Sequence, residues 1–307
     1  MAKVSITGAG NVGTTTAKGI IENNLADVVL LDSIEGMPQG KALDLMQAAP
    51  VGGCYTRVIG TNDYSDVSDS DIIIITAGHA RKSGMARDDL LQENAKIIKD
   101  VVKKITRYNK KAIIITVTDP VDVMTQLVLQ DSKLPKHRVI GMGSTLDSAR
   151  YCYFLAEALD TSPRDVRALV LGSHGYSMVP LPNYSTVSGI PVTELLPHST
   201  IEKINRKTRE SGTAIVELLK QGSAFYAPAA TLREMVQSIV LDENKIVPCS
   251  VYLEGEYGVK GVYCGVPVKI SKKGAGEIIE LELTEEERQA FQVSANSVAE
   301  NIKKLNG

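Results

Sequence analysis

The stretch Lys3-Val4-Ser5-Ile6-Thr7-Gly8-Ala9-Gly10-Asn11-Val12-Gly13 joins an apolar strand, a glycine-rich turn and the start of a helix. Its first five residues predict the strand, and Val12 to Glu22 predict the helix. Gly8 is suited to the tight turn, Gly10 to a close approach of the backbone to a pyrophosphate, and Gly13 to close packing of helix on strand. The stretch therefore predicts a βαβ unit that binds a dinucleotide.

An acidic residue at the end of the next strand indicates which dinucleotide. Asp32 directly follows the apolar run Asp27 to Leu31. A carboxylate at this point accepts hydrogen bonds from ribose hydroxyls and repels a 2′-phosphate, which favours NAD over NADP. An ordinary glycine-rich turn is the alternative, but strand, helix and acid together favour a cofactor site. We assign to it Gly8, Gly10, Asn11, Val12, Gly13 and Asp32.

A second strand end contributes to the same site. Thr76-Ala77-Gly78 follows a run of isoleucines and suits a backbone that passes beneath the dinucleotide, although a plain turn at the end of a strand has the same residues. We also assign Asn94 and Val117 to the cofactor site.

Strands and helices alternate through the first half, which predicts a Rossmann-type, doubly wound parallel sheet. The run of isoleucines is apolar on both faces, as in a central strand covered by helices on both sides. The predicted strands are Lys3 to Thr7, Asp27 to Leu31, Asp71 to Thr76 and Lys111 to Val117, and the predicted helices are Val12 to Glu22, Gln39 to Ala48 and Asp88 to Ile105.

The pattern changes after about residue 143, and the second half predicts an α+β substrate domain. We predict a helix over Leu146 to Leu159, a strand over Val166 to Leu171, a turn at Gly189-Ile190-Pro191, helices over 199–221 and 229–240, an antiparallel pair over Val247 to Glu254 and Val262 to Ile270, and a last helix that begins with a Thr284–Glu287 capping box. The predicted domains are 1–143 for the cofactor and 144–307 for the substrate. Because no flexible linker separates them, we expect the site to form between them.

Composition excludes several other classes of function. The net charge of −2 gives no basic field for nucleic acid, and the longest apolar runs are too short to span a membrane. The four cysteines are far apart and lack CxxC spacing, which argues against a zinc or other metal site and for a reducing cytoplasm. The chain enters an apolar strand directly, without the pattern of a signal peptide.

Three residues of the second half have the chemistry of a proton-transfer site. His174 lies just past an apolar strand in a glycine-flanked turn, and imidazole titrates in the range of a general base. Asp147 offers a carboxylate to orient its ring. Arg150, one helical turn later, offers a planar fork for a substrate carboxylate. A structural histidine beside a surface Asp–Arg pair fits the same residues, so both interpretations remain open.

The segment from Gly78 to Arg87 carries three cations, Arg81, Lys82 and Arg87, with Gly78 and Gly84 as possible hinges. We expect a lid that closes over an anion, in which Arg87 polarises a carbonyl group and Arg81 binds a second carboxylate. A solvated run of charge is the alternative.

Together these segments resemble the lactate/malate dehydrogenase family, and within it the malate dehydrogenases of lactate-dehydrogenase-like type. The resemblance implies NAD-dependent interconversion of malate and oxaloacetate, a small dicarboxylate substrate, and a homo-oligomer, with a tetramer favoured over a dimer. The matching segments are Gly8 to Gly13, Asp32, Gln39 to Asp44, Arg81 to Arg87, Leu146 to Arg150, His174-Gly175, Met178 to Pro182 and Gly222 to Tyr226.

The resemblance also implies a role for each polar residue. His174 matches the proton donor and acceptor, and Asp147 matches its partner. Arg150 matches the binder of the first carboxylate, and Arg87 the lid residue that polarises the carbonyl. Arg81 matches the position at which arginine goes with malate and oxaloacetate, and glutamine with lactate and pyruvate.

Four residues depart from the family pattern, and two of them are close to the predicted chemistry. Asp119 replaces an asparagine that contacts substrate, and Tyr176 replaces an aspartate beside His174. At about 4 Å and an effective dielectric constant of about 20, Asp119 and a substrate anion would repel by roughly 4 kcal/mol. We therefore expect intact cofactor binding with turnover that is reduced or shifted in pH. The other two departures are Ser83, for a proline, and Asn183, for an arginine or lysine.

Three other functions are compatible with parts of the sequence. Another 2-hydroxy-acid dehydrogenase, such as a lactate dehydrogenase, would leave Arg81 without a carboxylate partner. A catalytically impaired NAD-binding homologue would account for Asp119 and Tyr176. An NAD-using glycoside hydrolase would need a metal held by Cys and His, and no cysteine lies near His174 in sequence.

Overall fold

The fold is that of a computed structural model, which describes residues 1–79 and 87–306 and, at positions 87, 88 and 306, the backbone only. Six parallel strands form the sheet of the first half, in the order β6-β5-β4-β1-β2-β3. They are β1 (Lys3–Thr7), β2 (Asp27–Leu31), β3 (Val58–Thr61), β4 (Ile72–Ile75), β5 (Ile113–Thr116) and β6 (Val139–Gly141). This order is that of the doubly wound dinucleotide-binding fold, so the predicted Rossmann-type sheet is confirmed.

Four helices connect these strands and cover the two faces of the sheet. They are α1 (Asn11–Glu22), α2 (Met37–Gly52), α3 (Arg87–Tyr108) and α4 (Val121–Ser132). The predicted isoleucine strand is central, because β4 pairs with β1 on one side and β5 on the other, and all four of its residues are buried. The carboxyl ends of β1, β2, β4 and β5 therefore meet at one edge of the sheet.

The second half adds helices and further strands. Its elements are α5 (Ser144–Leu159), β7 (Val166–Arg167), β8 (Val170–Leu171), β9 (Val179–Pro180), β10 (Thr186–Val187), β11 (Ile190–Pro191), α6 (Val192–Leu195), α7 (His198–Leu219), α8 (Tyr226–Val240), β12 (Lys245–Glu254), β13 (Lys260–Ser271), β14 (Gly274–Ile278) and α9 (Glu285–Asn306). The predicted antiparallel pair is confirmed as β12 and β13.

The two halves share one sheet and one main core. β12 pairs antiparallel with β6 through Ser250 and Gly141, so the sheet continues as β14-β13-β12-β6 to nine strands. Buried side chains from both halves form a single cluster that runs from Val4 in β1 to Ile302 in α9. The halves therefore pack closely, as expected from the lack of a linker.

Two local predictions were wrong. The predicted strand from Val166 to Leu171 is two short strands in different sheets, because side-chain hydroxyl groups take the backbone N–H groups at the break: Ser185 Oγ bonds Leu169 and Ser148 Oγ bonds Val170. The predicted turn at 189–191 lies one residue earlier, at positions 188–189, and Ile190–Pro191 forms β11.

The last helix begins as predicted. Thr284 N–H donates to Glu287 Oε2 at 2.9 Å, and Glu287 N–H donates to Thr284 Oγ1 at 3.2 Å. These reciprocal bonds are the capping box. Within residues 1–79 and 87–306, no helix is long and apolar enough to cross a lipid bilayer.

Candidate active site

The glycine turn after β1 lies where the strand order reverses, between β1 and β4. Ligands of open α/β sheets bind at this switch point. Two of its glycines are required by packing: a Cβ atom at Gly13 would lie 2.0 Å from the carbonyl oxygen of Gly8, and one at Gly8 would lie 2.6 Å from Oγ1 of Thr76. Thr76 Oγ1 also donates a hydrogen bond to the Gly8 carbonyl at 2.9 Å. The turn, α1 and the end of β4 are therefore held tightly together.

Gly10 differs from the other two glycines because no described atom lies within 4 Å of the position of its Cβ. Its backbone is extended, with φ −69°, which any residue adopts. No side chain of the described residues caps the helix that follows, so the first amides of α1 keep their hydrogen-bonding capacity for a ligand. A surface without a Cβ, next to free amides at a helix N-terminus, fits the pyrophosphate of a dinucleotide.

The carboxylate of Asp32 is fixed beside this turn. Its Oδ2 accepts from Ala9 N–H at 2.7 Å, and its Oδ1 accepts from Ile34 N–H at 3.0 Å. Lys41, which sequence analysis did not assign, donates from Nζ to the Ala9 carbonyl at 2.6 Å. The carboxylate of Asp32 and the ammonium group of Lys41 are thus next to the region where the adenosine half of a dinucleotide would lie.

The loops after β4 and β5 are joined by Asn94. This side chain is fully buried, and its Oδ1 accepts from His79 N–H at 2.8 Å while its Nδ2 donates to the carbonyl groups of His79 and Asp119 at 3.2 and 2.7 Å. A Cβ at Gly78 would lie 2.4 Å from Cγ2 of Thr118. Thr76, Ala77 and Val117 are half-buried at the same edge. Asn94 is thus occupied with the main chain of both loops.

His174 and Asp147 are in direct contact. His174 Nδ1 lies 2.9 Å from Asp147 Oδ2, and the aspartate is fully buried in the first turn of α5. Arg150 follows one turn later, with Nη1 3.7 Å from Asp147 Oδ1. Arg150 Nε and Asp147 Oδ1 are buried without a hydrogen-bond partner among the described residues. The guanidinium group therefore keeps hydrogen-bonding capacity for a ligand.

Asp119 faces the other nitrogen of the same ring. Its Oδ1 lies 3.9 Å from His174 Nε2, and 61% of its side chain is exposed. Burial lowers the pKa of His174, but the charge and hydrogen bond of Asp147 and the charge of Asp119 outweigh it, and the pKa rises to about 9 despite Arg150. The ring is therefore protonated at neutral pH in the absence of ligands.

A buried aspartate that sequence analysis missed anchors the His174 loop. Asp122, in the first turn of α4, accepts from His174 N–H and from Ser173 Oγ, both at 2.9 Å, and from Ser250 Oγ at 2.5 Å. Burial raises the pKa of Asp122, and these three hydrogen bonds and the charge of His174 oppose the rise. Because Asp122 is three residues from Asp119, one short segment contacts both the backbone and the ring of His174.

The side chains of two predicted arginines lie outside the described residues. Arg81 and the rest of the predicted lid from 80 to 86 lie outside the described residues, and only the backbone of Arg87 is described, as the first residue of α3. Tyr176, the predicted aromatic neighbour of His174, has a largely exposed side chain.

Comparison with known proteins matches nearly the whole chain. Residues 2–141 match the NAD-binding domain of lactate/malate dehydrogenase, and residues 144–306 match its α/β C-terminal domain. The chain belongs to the lactate/malate dehydrogenase family. Relatives named malate dehydrogenase include one from Pelodictyon phaeoclathratiforme, 53% identical over 99% of this chain and 98% of the relative, and one from Methanosarcina mazei, 49% identical over 99% of each.

Solved structures of both branches of the lactate/malate dehydrogenase family have this fold. The malate dehydrogenase of Cryptosporidium parvum superposes with a TM-score of 0.97 at 41% identity, over 99% of each chain. The lactate dehydrogenase of the same organism, solved with lactic acid and the NAD cofactor, also gives 0.97, at 38% identity over 100% of this chain and 98% of that chain. The protein is therefore an NAD-dependent oxidoreductase, and the fold by itself does not decide between the two substrates.

Proposed function

We propose that the protein catalyses the NAD-dependent interconversion of malate and oxaloacetate. The observation that carries the proposal is the His174–Asp147 pair at the sheet edge that holds the glycine turn. Beside it lies Arg150, whose Nε has no hydrogen-bond partner among the described residues. Full-length relatives at about half identity that are named malate dehydrogenase support the choice of substrate.

His174 is the proton carrier of this reaction. In malate oxidation its neutral Nε2 accepts the hydroxyl proton while the C2–H bond breaks, and in oxaloacetate reduction the protonated ring returns that proton to the carbonyl oxygen. Bound NAD⁺ supplies the hydride acceptor at its nicotinamide C4. Asp147 fixes the tautomer through Nδ1 and stabilises the imidazolium form. The raised pKa of His174 favours the form from which oxaloacetate reduction begins.

The substrate is held by guanidinium groups. Arg150 binds the carboxylate next to the reacting carbon, because its fork matches two oxygen atoms at once. We assign Arg87 to the polarisation of the carbonyl group and Arg81 to the second carboxylate, both on the basis of the family resemblance. Asp119 is a substrate-facing residue whose charge opposes binding of a dianion.

The cofactor site follows the edge of the sheet. Its proposed residues are Gly8, Gly10, Asn11, Val12, Gly13, Asp32, Thr76, Ala77, Gly78, Asn94 and Val117. Asn94 acts there by holding the loops after β4 and β5, since its amide is bonded to their main chain. Residues 1–143 form the cofactor domain and 144–307 the substrate domain in this proposal.

We also propose a homo-oligomer in the cytoplasm, with a tetramer favoured over a dimer. Exposed apolar side chains on and near α7 and α8 support a covered surface: Leu218, Leu219, Tyr226 and Leu241. Light scattering after size exclusion tests this, and a monomer at micromolar concentration would contradict it.

Steady-state NADH oxidation with a panel of keto acids tests the proposed substrate. We expect kcat/KM for oxaloacetate to exceed that for pyruvate by roughly 100-fold or more, because pyruvate has no second carboxylate for Arg81 to bind. A higher value for pyruvate would identify a lactate dehydrogenase instead. NADH binding without turnover of any keto acid would identify an impaired homologue.

A further inference from the structure

A second cleft lies at the opposite edge of the main sheet. Its volume is about 1160 Å³, and it is lined by residues at the amino ends of the parallel strands, including Ile72 at the start of β4 and Ile113 at the start of β5. The second half contributes Val240 at the end of α8 and the turn Lys272-Lys273 between β13 and β14. The glycine turn and the loops after β4 and β5 follow the carboxyl ends of these strands, so the two clefts are separate.

Positive charge is concentrated in this cleft. Its charged side chains are Arg107, Lys110, Lys111, Arg138, Lys272 and Lys273, against Asp69 and Asp71. An adjoining cavity of about 530 Å³ shares Arg107 and Lys110 and adds Lys103 and Lys133, without an acidic residue. We call these two cavities together the basic cleft. Its charge is positive, whereas the net charge of the whole chain is −2.

Most of these cations lie outside the ion pairs formed among the described residues. Lys272 pairs with Asp242 at 2.9 Å. Arg107, Lys110, Lys111 and Lys273 form no ion pair with any side chain that the structure describes. Unpaired like charges in a concave surface repel one another and raise the local concentration of anions. A multivalent anion would neutralise several of them at once.

The loop that carries Lys110 and Lys111 is held rigidly by the buried side chain of Asn109. Its Nδ2 donates to the carbonyl groups of Val67 and Ser70 at 3.0 and 2.9 Å, and its Oδ1 accepts from Lys111 N–H and Ala112 N–H, both at 2.9 Å. All the hydrogen bonds of this amide serve to fix the loop. The two ammonium groups therefore project from a defined backbone.

The neighbouring loops are fixed against the same point. Arg138 Nη1 donates to the Lys111 carbonyl at 3.0 Å, which ties the segment before β6 to the Lys110 loop. Gly274 has φ +99°, and a Cβ there would lie 2.0 Å from the His137 carbonyl oxygen. Only glycine allows the turn with Lys272 and Lys273 to pack this closely. Three loops from both halves thus present cations to one space.

We propose that the basic cleft binds a linear oligophosphate, either an inorganic chain or the phosphate chain of a nucleoside triphosphate. Such a chain carries several negative charges within a short length, which matches four unpaired cations better than a mono- or dicarboxylate does. A long nucleic acid is disfavoured, because the chain as a whole carries a net charge of −2 and offers no extended basic field. This proposal does not depend on the identity of the keto acid.

Calorimetric titration of the full-length protein, saturated with NADH to occupy the coenzyme site, tests the proposal. Inorganic triphosphate is the first probe and ATP the second. We expect both to bind at low salt, and the Kd for triphosphate to rise roughly tenfold or more in the double variant Lys110→Gln, Lys111→Gln. Tighter binding of ATP than of triphosphate would indicate that the cleft also contacts the nucleoside. Equal binding would indicate that it recognises the phosphate chain alone.

The matched control is Lys96→Gln, Lys99→Gln, which removes the same charge from exposed positions of α3 that do not line the cleft. Its triphosphate Kd should equal that of the unaltered protein. No binding of triphosphate, or the same loss in both double variants, would overturn the proposal. Displacement of triphosphate by a short duplex RNA that binds more tightly would also overturn it.

Discussion

Oδ1 of Asp119 lies 3.9 Å from Nε2 of His174, the nitrogen on the opposite side of the ring from Asp147. This imidazole therefore has a carboxylate at each of its nitrogen atoms. The buried carboxylate, Asp147, orients the ring. The exposed carboxylate, Asp119, lies beside Nε2, the nitrogen that a substrate hydroxyl group would approach. The same charge raises the pKa of His174 and opposes a dicarboxylate.

Replacement of Asp119 by asparagine is predicted to improve the enzyme near neutral pH. The amide removes the repulsion while keeping the size of the side chain, so kcat/KM for oxaloacetate should rise about tenfold, or about 1.4 kcal/mol. This is less than the full Coulomb energy, because solvent screens a side chain that is 61% exposed. Steady-state kinetics provide the measurement.

The control for this change is Asp131→Asn, an exposed aspartate near the end of α4. It alters the net charge equally and should leave kcat/KM unchanged. The Asp119 variant should also lower the pKa of His174 from about 9, which NMR titration can follow because the chain has only four histidines. An unchanged or lower kcat/KM would remove the proposed role of Asp119.

The His174–Asp147 pair predicts how folding stability depends on pH. The folded pKa of about 9 lies above the ordinary value of 6.5. The folded state then binds the proton more tightly than the unfolded state, so this stabilisation is complete below pH 6.5 and is lost as pH rises through 9. Asp147→Asn removes the main cause of the raised pKa and should flatten the decline in unfolding free energy over that window.

Urea unfolding at several pH values gives the slope of unfolding free energy against pH for the variant and for the unaltered protein. Comparing these two slopes makes the result independent of the absolute stability of the variant. His198→Gln, at an exposed position, should retain the slope of the unaltered protein. Equal slopes in Asp147→Asn and the unaltered protein would mean that Asp147 does not hold the proton on His174.

Two glycines of the first turn should respond differently to alanine. In Gly10→Ala the new Cβ has no atom within 4 Å, and the backbone conformation at this position suits alanine, so the protein should keep its melting temperature. The Kd for NADH should rise at least about tenfold, because the Cβ takes the space of the pyrophosphate. Gly13→Ala brings a Cβ to 2.0 Å from Gly8 O and should destabilise the fold by about 1–3 kcal/mol. Thermal unfolding and NADH titration separate the effects. Unchanged NADH affinity in Gly10→Ala would move the pyrophosphate away from this turn.

The elements predicted correctly are those with a strong local pattern. The isoleucine strand was recognised because burial on both faces leaves a continuous apolar run. By contrast, α4 was not predicted: eight successive residues from Val121 to Val128 are buried, and the polar ones among them make internal hydrogen bonds instead of forming an exposed polar face. The three-residue strand β6 is too short to give any alternation, and its pairing with β12 depends on a contact between Gly141 and Ser250.

Site residues, too, were predicted where they stand in a local sequence motif and missed where they do not. His174, Asp147 and Arg150 stand in recognisable motifs, and the structure brings the three together. Asp122 gave no signal, because its partners Ser173 and Ser250 are 51 and 128 residues away in sequence. Only the folded chain reveals that a buried carboxylate anchors the loop that carries the histidine.

The activity of His174→Gln tests the central claim most directly. We predict that kcat for oxaloacetate falls about 10²–10⁴-fold, since no other described side chain replaces the ring as proton donor. The Kd for NADH, read from its own fluorescence in a protein without tryptophan, should stay within about twofold. The control His198→Gln should keep full activity. A His174→Gln enzyme with near-normal kcat and normal NADH binding would contradict the account.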